Sequence, residues 1–161
     1  VWSAARLFVR GTSGRQRYNV LGAVNPLTQE LIRVCNQTYI NSHTVCELLN
    51  KIAALELATP ITLVLDNAAY QRCKLVQGLA KELNIELLFL PSYSPNLNLI
   101  ERLWKFVKKQ ALHSRHHTNY ADFQAVIDNC LDELTTTHKS AVASLLTLKF
   151  QTFQNVSMLS A

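Results

Sequence analysis

Two strand-sized apolar runs, "ITLVLDN" (61–67) and "IELLFLP" (85–91), constrain the fold of this chain more than any other feature. Each is a short apolar stretch bounded by polar residues, the pattern of a strand buried on both faces of a sheet. Between them Leu75, Val76, Leu79 and Leu83 recur at helical spacing, with Asn84 near the end. A strand–helix–strand unit of this kind makes a parallel pair with a right-handed crossover. The first run ends in Asp66, a charged residue that gains nothing from packing there.

Upstream, "RYNVLGAVN" (17–25) and "ELIRVCNQT" (30–38) are β-rich and separated by "PLTQ", an antiparallel hairpin bending at Asn25–Pro26. Val45, Leu48, Leu49, Ile52 and Leu55 then mark a helix capped by Asn41 or Ser42. Downstream, "LPSYSPNLNLIERLW" (90–104) is a stiff approach to a helix from about Leu97, and "ADFQAVIDNCLDEL" (121–134) predicts another before a C-terminal apolar segment. The order is hairpin, helix, strand, helix, strand, helix. It implies an α/β fold with a mixed sheet and helices on both faces, whose functional groups lie outside the carboxyl ends of the parallel strands. With 161 residues, 48% apolar, the chain suits one domain spanning 1–161.

No apolar run approaches the roughly 20 residues that span a bilayer. Cys35, Cys46, Cys73 and Cys130 are scattered without a C-x-x-C pair, which argues against a zinc site or disulfide framework and for reduced cysteines in the cytoplasm. The net charge of +5 is uneven. Residues 1–29 hold Arg6, Arg10, Arg15 and Arg17 with no acid, and residues 102–120 hold five basic side chains and three histidines with no acid. Two basic islands on a mildly acidic body suggest a polyanion-binding surface, with two solvated faces as the plainer alternative. Arg15 and Arg17, beside Gly11 and Gly14, are candidates to grip phosphate, as are Lys105, Lys108, Lys109 and Arg115 of the second island.

Asp66 and Glu101 are the candidate site. Singly, each has an ordinary reading: Asp66-Asn67 as a cap for the following helix, and Glu101 as a first-turn acid favoured by the helix dipole. As a pair they gain meaning, because one ends a parallel strand and the other opens the helix after the neighbouring strand. Ile100, Leu103, Trp104 and Val107 make the core stripe of that helix, which leaves Glu101, Lys105 and Lys108 on an adjacent flank. A solvated Glu–Lys pair is the alternative. Oxygen-only ligands favour Mg²⁺ or Mn²⁺ over zinc. His113, His116 and His117 look like a metal cluster but lack cysteine partners, and read better as solvated or DNA-facing. Asp122, Asp128 and Asp132 read as the solvated face of the last helix.

"LVLDNA" followed by "LPSYSPNLNLIERLWKFVK" resembles the catalytic domain of DDE transposases of the mariner-like superfamily, in its bacterial insertion-sequence branch. The 34 residues between Asp66 and Glu101 match the spacing between that superfamily's second and third acids. The resemblance is most specific over 61–109 and extends more weakly to "SGRQRYNVLGAVN" and "LLTLKFQ". It implies an RNase H-like fold in a bacterial, nucleoid-associated protein that cuts and joins DNA at transposon ends. It also implies metal-ion catalysis with Asp66 and Glu101 as metal ligands, and a homodimer as the working form. In that light Pro91 and Pro95 stiffen the approach, and Asn96 or Asn98 caps the helix so that Glu101 stands at a set height above Asp66.

Two departures matter. The family carries a first acid on the strand before the hairpin, yet no Asp or Glu precedes Glu30. The expectation is therefore an N-terminally truncated domain lacking its first, central strand, poorly stable and inactive unless an upstream segment supplies that strand. Gln71 also stands where many members have His. Alternative functions are a non-catalytic DNA-binding or dimerisation remnant, and another RNase H-like nuclease such as a structure-specific endonuclease. No Gly-rich phosphate loop follows the strands, which argues against a nucleotide-binding enzyme.

Overall fold

The computed structural model of the chain describes residues 2–10, 16–91, 97–113, 117 and 119–148. Five strands form one sheet in the order β3-β2-β1-β4-β5. They are β1 (Trp2–Arg10), β2 (Arg17–Val24), β3 (Leu31–Asn36), β4 (Ile61–Leu65) and β5 (Ile85–Phe89). β1 pairs antiparallel with β2 and parallel with β4, β2 pairs antiparallel with β3, and β4 pairs parallel with β5. The mixed sheet, the hairpin and the parallel crossover thus stand as the sequence implied.

The expectation of a sheet lacking its centre is corrected. Residues 2–10 fill the central position, between β2 and β4. The sequence implied no such strand because the family's first strand carries an acid and residues 1–29 hold none. The alternation is present nonetheless: Ala5 and Leu7 are buried on one face and Ala4 on the other. Small residues suit a strand that a helix approaches closely.

Helices α1 (Ser42–Ala53) and α2 (Lys74–Glu82) cover the face carrying Ala4, Leu21, Leu63 and Leu65. Asn41 caps α1, its side chain accepting from the Thr44 N–H while the Asn41 N–H is given to the Thr44 hydroxyl, which satisfies two end donors at once. α3 (Leu99–Ala111), α4 (Tyr120–Asp132) and α5 (Lys139–Leu145) share the opposite core with Ala5, Leu7, Val20 and Val24. All four residues of the predicted α3 stripe, Ile100, Leu103, Trp104 and Val107, are buried. Trp104 reaches the sheet because Gly22 leaves room for it: a Cβ there would meet the indole ring at 2.8 Å.

Three details differ from the periodicity. α2 buries Val76 and Ala80 while Leu75 is half exposed, so its apolar face is rotated from the leucine row. β5 is an edge strand, packing Ile85, Leu87 and Phe89 inward and leaving Leu88 half exposed on the other face. Asp122 and Asp132 are exposed as expected, but Asp128 is only partly so, and Asp128 and Asp132 are tied to the sheet. Arg33 on β3 lies 2.9 Å from Asp132 and 3.6 Å from Asp128, and Asp128 accepts from the Tyr18 hydroxyl at 2.6 Å, tying α4 to the hairpin.

Candidate active site

The site begins where β4 ends. Leu65 is its last residue, and Asp66 follows at the carboxyl edge of the sheet. Asp66 does not cap a helix, because α2 starts only at Lys74, behind Cys73. The chain instead folds back through short turns, with the Gln71 N–H donating to the Ala68 carbonyl at 3.0 Å. That return brings the fully buried Gln71 side chain against Asp66, its Nε2 donating to Oδ1 at 2.8 Å. A carboxylate held this way has one oxygen fixed and the other left for a ligand.

Glu101 lies in the first turn of α3, and the start of α3 is fastened to β1. Asn98 occupies the N-cap position but makes no side-chain cap bond. Its amide donates to the Ala4 carbonyl at 3.2 Å, and its carbonyl oxygen accepts from the Ser3 hydroxyl. The Ser3 oxygen in turn accepts from the Ile100 N–H at 3.4 Å. One turn on, the Trp104 indole N–H donates to the Ala5 carbonyl at 3.0 Å. Three consecutive residues of the central strand thus anchor the helix that bears Glu101. Pro91 is exposed and lies before this junction, while Ser92–Asn96 fall outside the described residues, as does any bracing by Pro95.

The charge of Asp66 reaches Glu101. Glu101 is held above the ordinary carboxylate range, first by burial and then by the negative charge of Asp66, while Lys108 and Lys105 pull it back. Tyr70 belongs to the same neighbourhood. Burial raises its phenol, the Asp66 charge adds to that, and Arg6 opposes it. The buried Asn67 Oδ1 and Gln71 Oε1, both in the Asp66 loop, are acceptors without a hydrogen-bond partner.

Register identifies what stands beside Asp66. Ala4 pairs with Leu65 in the parallel β1–β4 ladder, so the next residue, Ala5, is level with Asp66 and faces the α3 core. The central strand is therefore present but offers no carboxylate at that point.

The basic candidates divide. Lys105, Lys108 and Lys109 are exposed on α3, and the first two act electrostatically on Glu101. Arg17 is remote: it pairs with Arg10, six residues along β1 from Ala4, which is about 20 Å at strand spacing. Its guanidinium sits 4.7 Å from the Tyr39 ring centroid, and its carbonyl accepts from the Tyr120 hydroxyl. Arg15, Arg115 and His116 lie outside the described residues. His117 is buried edge-on against Phe123, neither solvated nor DNA-facing, and His113 is exposed. Among the described residues no three His, Cys, Asp or Glu side chains gather as a metal cluster. Sequence reasoning missed the roles of Ser3 and Asn98; a polar residue before a helix reads as a cap, and nothing local marks a bond made 94 positions away.

A five-stranded mixed sheet in 3-2-1-4-5 order, flanked by helices, is the RNase H-like arrangement of integrase and transposase catalytic cores. The sequence matches the DDE superfamily endonuclease family over residues 5–124, and the chain belongs to that family. No curated protein matches it in sequence. Among solved structures it is similar to the Mos1 transposase catalytic domain, solved with Raltegravir and Mg, at a TM-score of 0.63 and 14% identity, with 93% of this chain and 85% of that one covered. It is similar to the HTLV-2 integrase catalytic core domain in complex with magnesium, a dimeric form, at a TM-score of 0.58 and 16% identity, covering 84% of this chain and 86% of that one. It is also similar to a chain of the simian T-cell lymphotropic virus intasome at a TM-score of 0.66 and 14% identity, covering 84% of this chain and 48% of that chain, so it spans about half of that protein's length. Among the described residues no helix is long and apolar enough to cross a membrane.

Proposed function

We propose that this chain is the DNA-cutting domain of a transposase, with Asp66 and Glu101 as its metal-binding carboxylates. The observation that carries the reading is the charge of Asp66 acting on Glu101, 35 positions away, at the carboxyl edge of an RNase H-like sheet. The donor set supports a hard divalent ion. Both carboxylates are oxygen ligands, and the neighbouring Asn67 Oδ1 is an unpartnered acceptor. Asp66 and Glu101 would hold Mg²⁺ or Mn²⁺, which supplies Lewis-acid stabilisation of charge on a phosphoryl oxygen when bound. Gln71 keeps Asp66 oriented, and Lys105 and Lys108 attract the DNA backbone to the same edge. The proposed substrate is duplex DNA at the ends of a bacterial insertion element, and the proposed working form is a homodimer.

One observation favours a narrower reading for residues 1–161 alone. Two carboxylates suit one ion, and Ala5 supplies no third ligand beside Asp66. We infer that the isolated chain binds DNA in a salt-sensitive way without completing strand transfer, and that a segment carrying a further acid restores it. The test is binding and nicking of labelled duplex DNA with Mn²⁺, comparing the wild type with Asp66→Asn. Salt-sensitive binding without cutting is expected. Metal-dependent cutting that Asp66→Asn abolishes would overturn the incompleteness while keeping the transposase assignment. Absence of DNA binding at low salt would overturn both.

A further inference from the structure

An apolar cavity of about 280 Å³ opens on the face of the sheet that carries the acids. Val64 and Leu88, partners in the β4–β5 ladder, line it together with Leu90, Leu97, Leu99 and Leu148. Helix α3 packs chiefly over β1 and β2, and α2 packs against β5 from the opposite face. Leu88, Leu97 and Leu148 remain partly exposed around it. An apolar cavity of ~150 Å³ is already enough to take benzene, so this one has room for an aromatic side chain.

Its chemistry selects the occupant. Ser3 contributes the hydroxyl in the lining, and that group is engaged with Asn98 and the Ile100 N–H. A nucleobase would lose the hydrogen bonds of its polar edges there, so an uncharged hydrocarbon surface is the fitting guest. The chain itself is led to the opening. Arg102 on α3 donates to the carbonyls of Leu145 at 3.3 Å and Thr147 at 3.1 Å, which fixes the path beyond α5, and the next residue, Leu148, already lines the cavity. Beyond Leu148 the sequence runs through Lys149 into "FQTFQNVSMLSA", a stretch without a charged side chain that includes Phe150, Phe153, Val156, Met158 and Leu159. Phe150 is two residues from Leu148, within about 7 Å of it on an extended chain.

We propose that residues 150–161 of the same chain dock in this cavity, with Phe150 or Phe153 as the anchor, and close the face of β4–β5 beneath Asp66. Tethering favours this occupant over a second copy. A segment held a few residues away has an effective concentration near millimolar, well above that of separate chains in dilute solution. The docked segment would also brace Leu97 and Leu99, at the start of the helix that carries Glu101.

The experiment uses the full chain and the exposed position 88. Leu88→Cys is combined with Phe150→Cys in one variant and with Phe153→Cys in another, each oxidised under dilute conditions and mapped by peptide mass spectrometry. An intramolecular disulfide from position 88 to 150 or 153 is expected in at least one variant. A disulfide joining two chains would assign the cavity to a second copy and overturn the proposal, as would the absence of both links. A separate readout is Phe150→Ser with Phe153→Ser, for which a severalfold rise in dye binding to exposed apolar surface and faster amide exchange at Leu88 are expected. Unchanged exchange at Leu88 would refute docking even if the cysteine variants were unstable.

Discussion

Asn98 offers the sharpest test of how Glu101 is held. If Asn98 is a staple between α3 and β1, Asn98→Ala removes two hydrogen bonds in a site only 1% exposed, stranding the Ser3 hydroxyl and the Ala4 carbonyl. Each buried group left short of a partner costs about 1–3 kcal/mol, so two cost about 2–6 kcal/mol. For a domain of this length each kcal/mol lowers Tm by about 2–4 °C, giving a fall of roughly 4–24 °C. A simple N-cap role makes a different forecast. Loss of a cap costs about 0.5–2 kcal/mol and is largely restored by Ser or Asp, whereas an ionised Asp cannot donate to the Ala4 carbonyl and the single, shorter hydroxyl of Ser does not reproduce the two separate amide atoms that meet Ala4 and Ser3. Urea unfolding of Asn98→Ala, Asn98→Ser, Ser3→Ala and the Asn98→Ala/Ser3→Ala double variant separates the two. The staple requires Asn98→Ser to be nearly as damaging as Asn98→Ala, with coupling to Ser3 of about 0.5–3 kcal/mol, as for residues in direct contact. Full rescue by Asn98→Ser, or additive single costs, would refute it.

Gly22→Ala should cost about 1–3 kcal/mol by overpacking, because its Cβ would lie 2.8 Å from Trp104 and 2.9 Å from Leu31; Trp104 fluorescence that stays unshifted, with unchanged Tm, would show that the ring yields freely. Glu101 is raised by burial and by Asp66, so its ionisation is harder in the folded chain, and the stability fully present below the ordinary Glu pKa of about 4.3 is lost as pH rises through the elevated folded value. Glu101→Gln should therefore raise Tm at neutral pH in chelator, with the gain vanishing near pH 4, and a gain independent of pH would contradict the charge argument. Ala5→Asp should destabilise the metal-free chain by burying an unpaired carboxylate, while making it respond more to Mn²⁺ than the wild type does. At 100 times its Kd an ion adds about 2.7 kcal/mol, or roughly 5–11 °C, and equal Mn²⁺ shifts in the two proteins would show that position 5 does not face the site.

What the residues disclosed depended on how local the cause was. The α3 stripe was legible because Ile100, Leu103, Trp104 and Val107 are set by helical period alone, and all four are buried. The pairing of Asp66 with Glu101 was legible because a right-handed crossover leaves little choice of edge. β1 was not, since the family's first strand is marked by an acid and this segment, apolar though it is at Leu7, Phe8 and Val9, carries none. Gln71 was noted as a departure from the family, yet its partner was invisible: the turns at Ala68 and Ala69 that return it to Asp66 have no marked turn residues. Arg33 and Asp132 failed for the same reason as Asn98, because their meeting is made by tertiary packing.

The central strand joins two roles that the sequence reading had treated as one. It was expected to be absent because its acid is absent, yet the scaffold does not need the acid. Ser3, the Ala4 carbonyl and the Ala5 carbonyl hold α3 through one side chain and two backbone oxygens. Backbone oxygens are available from any sequence that pairs as a strand, so a segment devoid of carboxylates still sets the height of Glu101. Chemistry is more demanding, because only a carboxylate at the level of Ala5 adds a ligand beside Asp66. A chain of this kind can therefore keep its fold, its two acids and its basic helix face with alanine at position 5, because the stabilising contacts of the strand are made by other atoms.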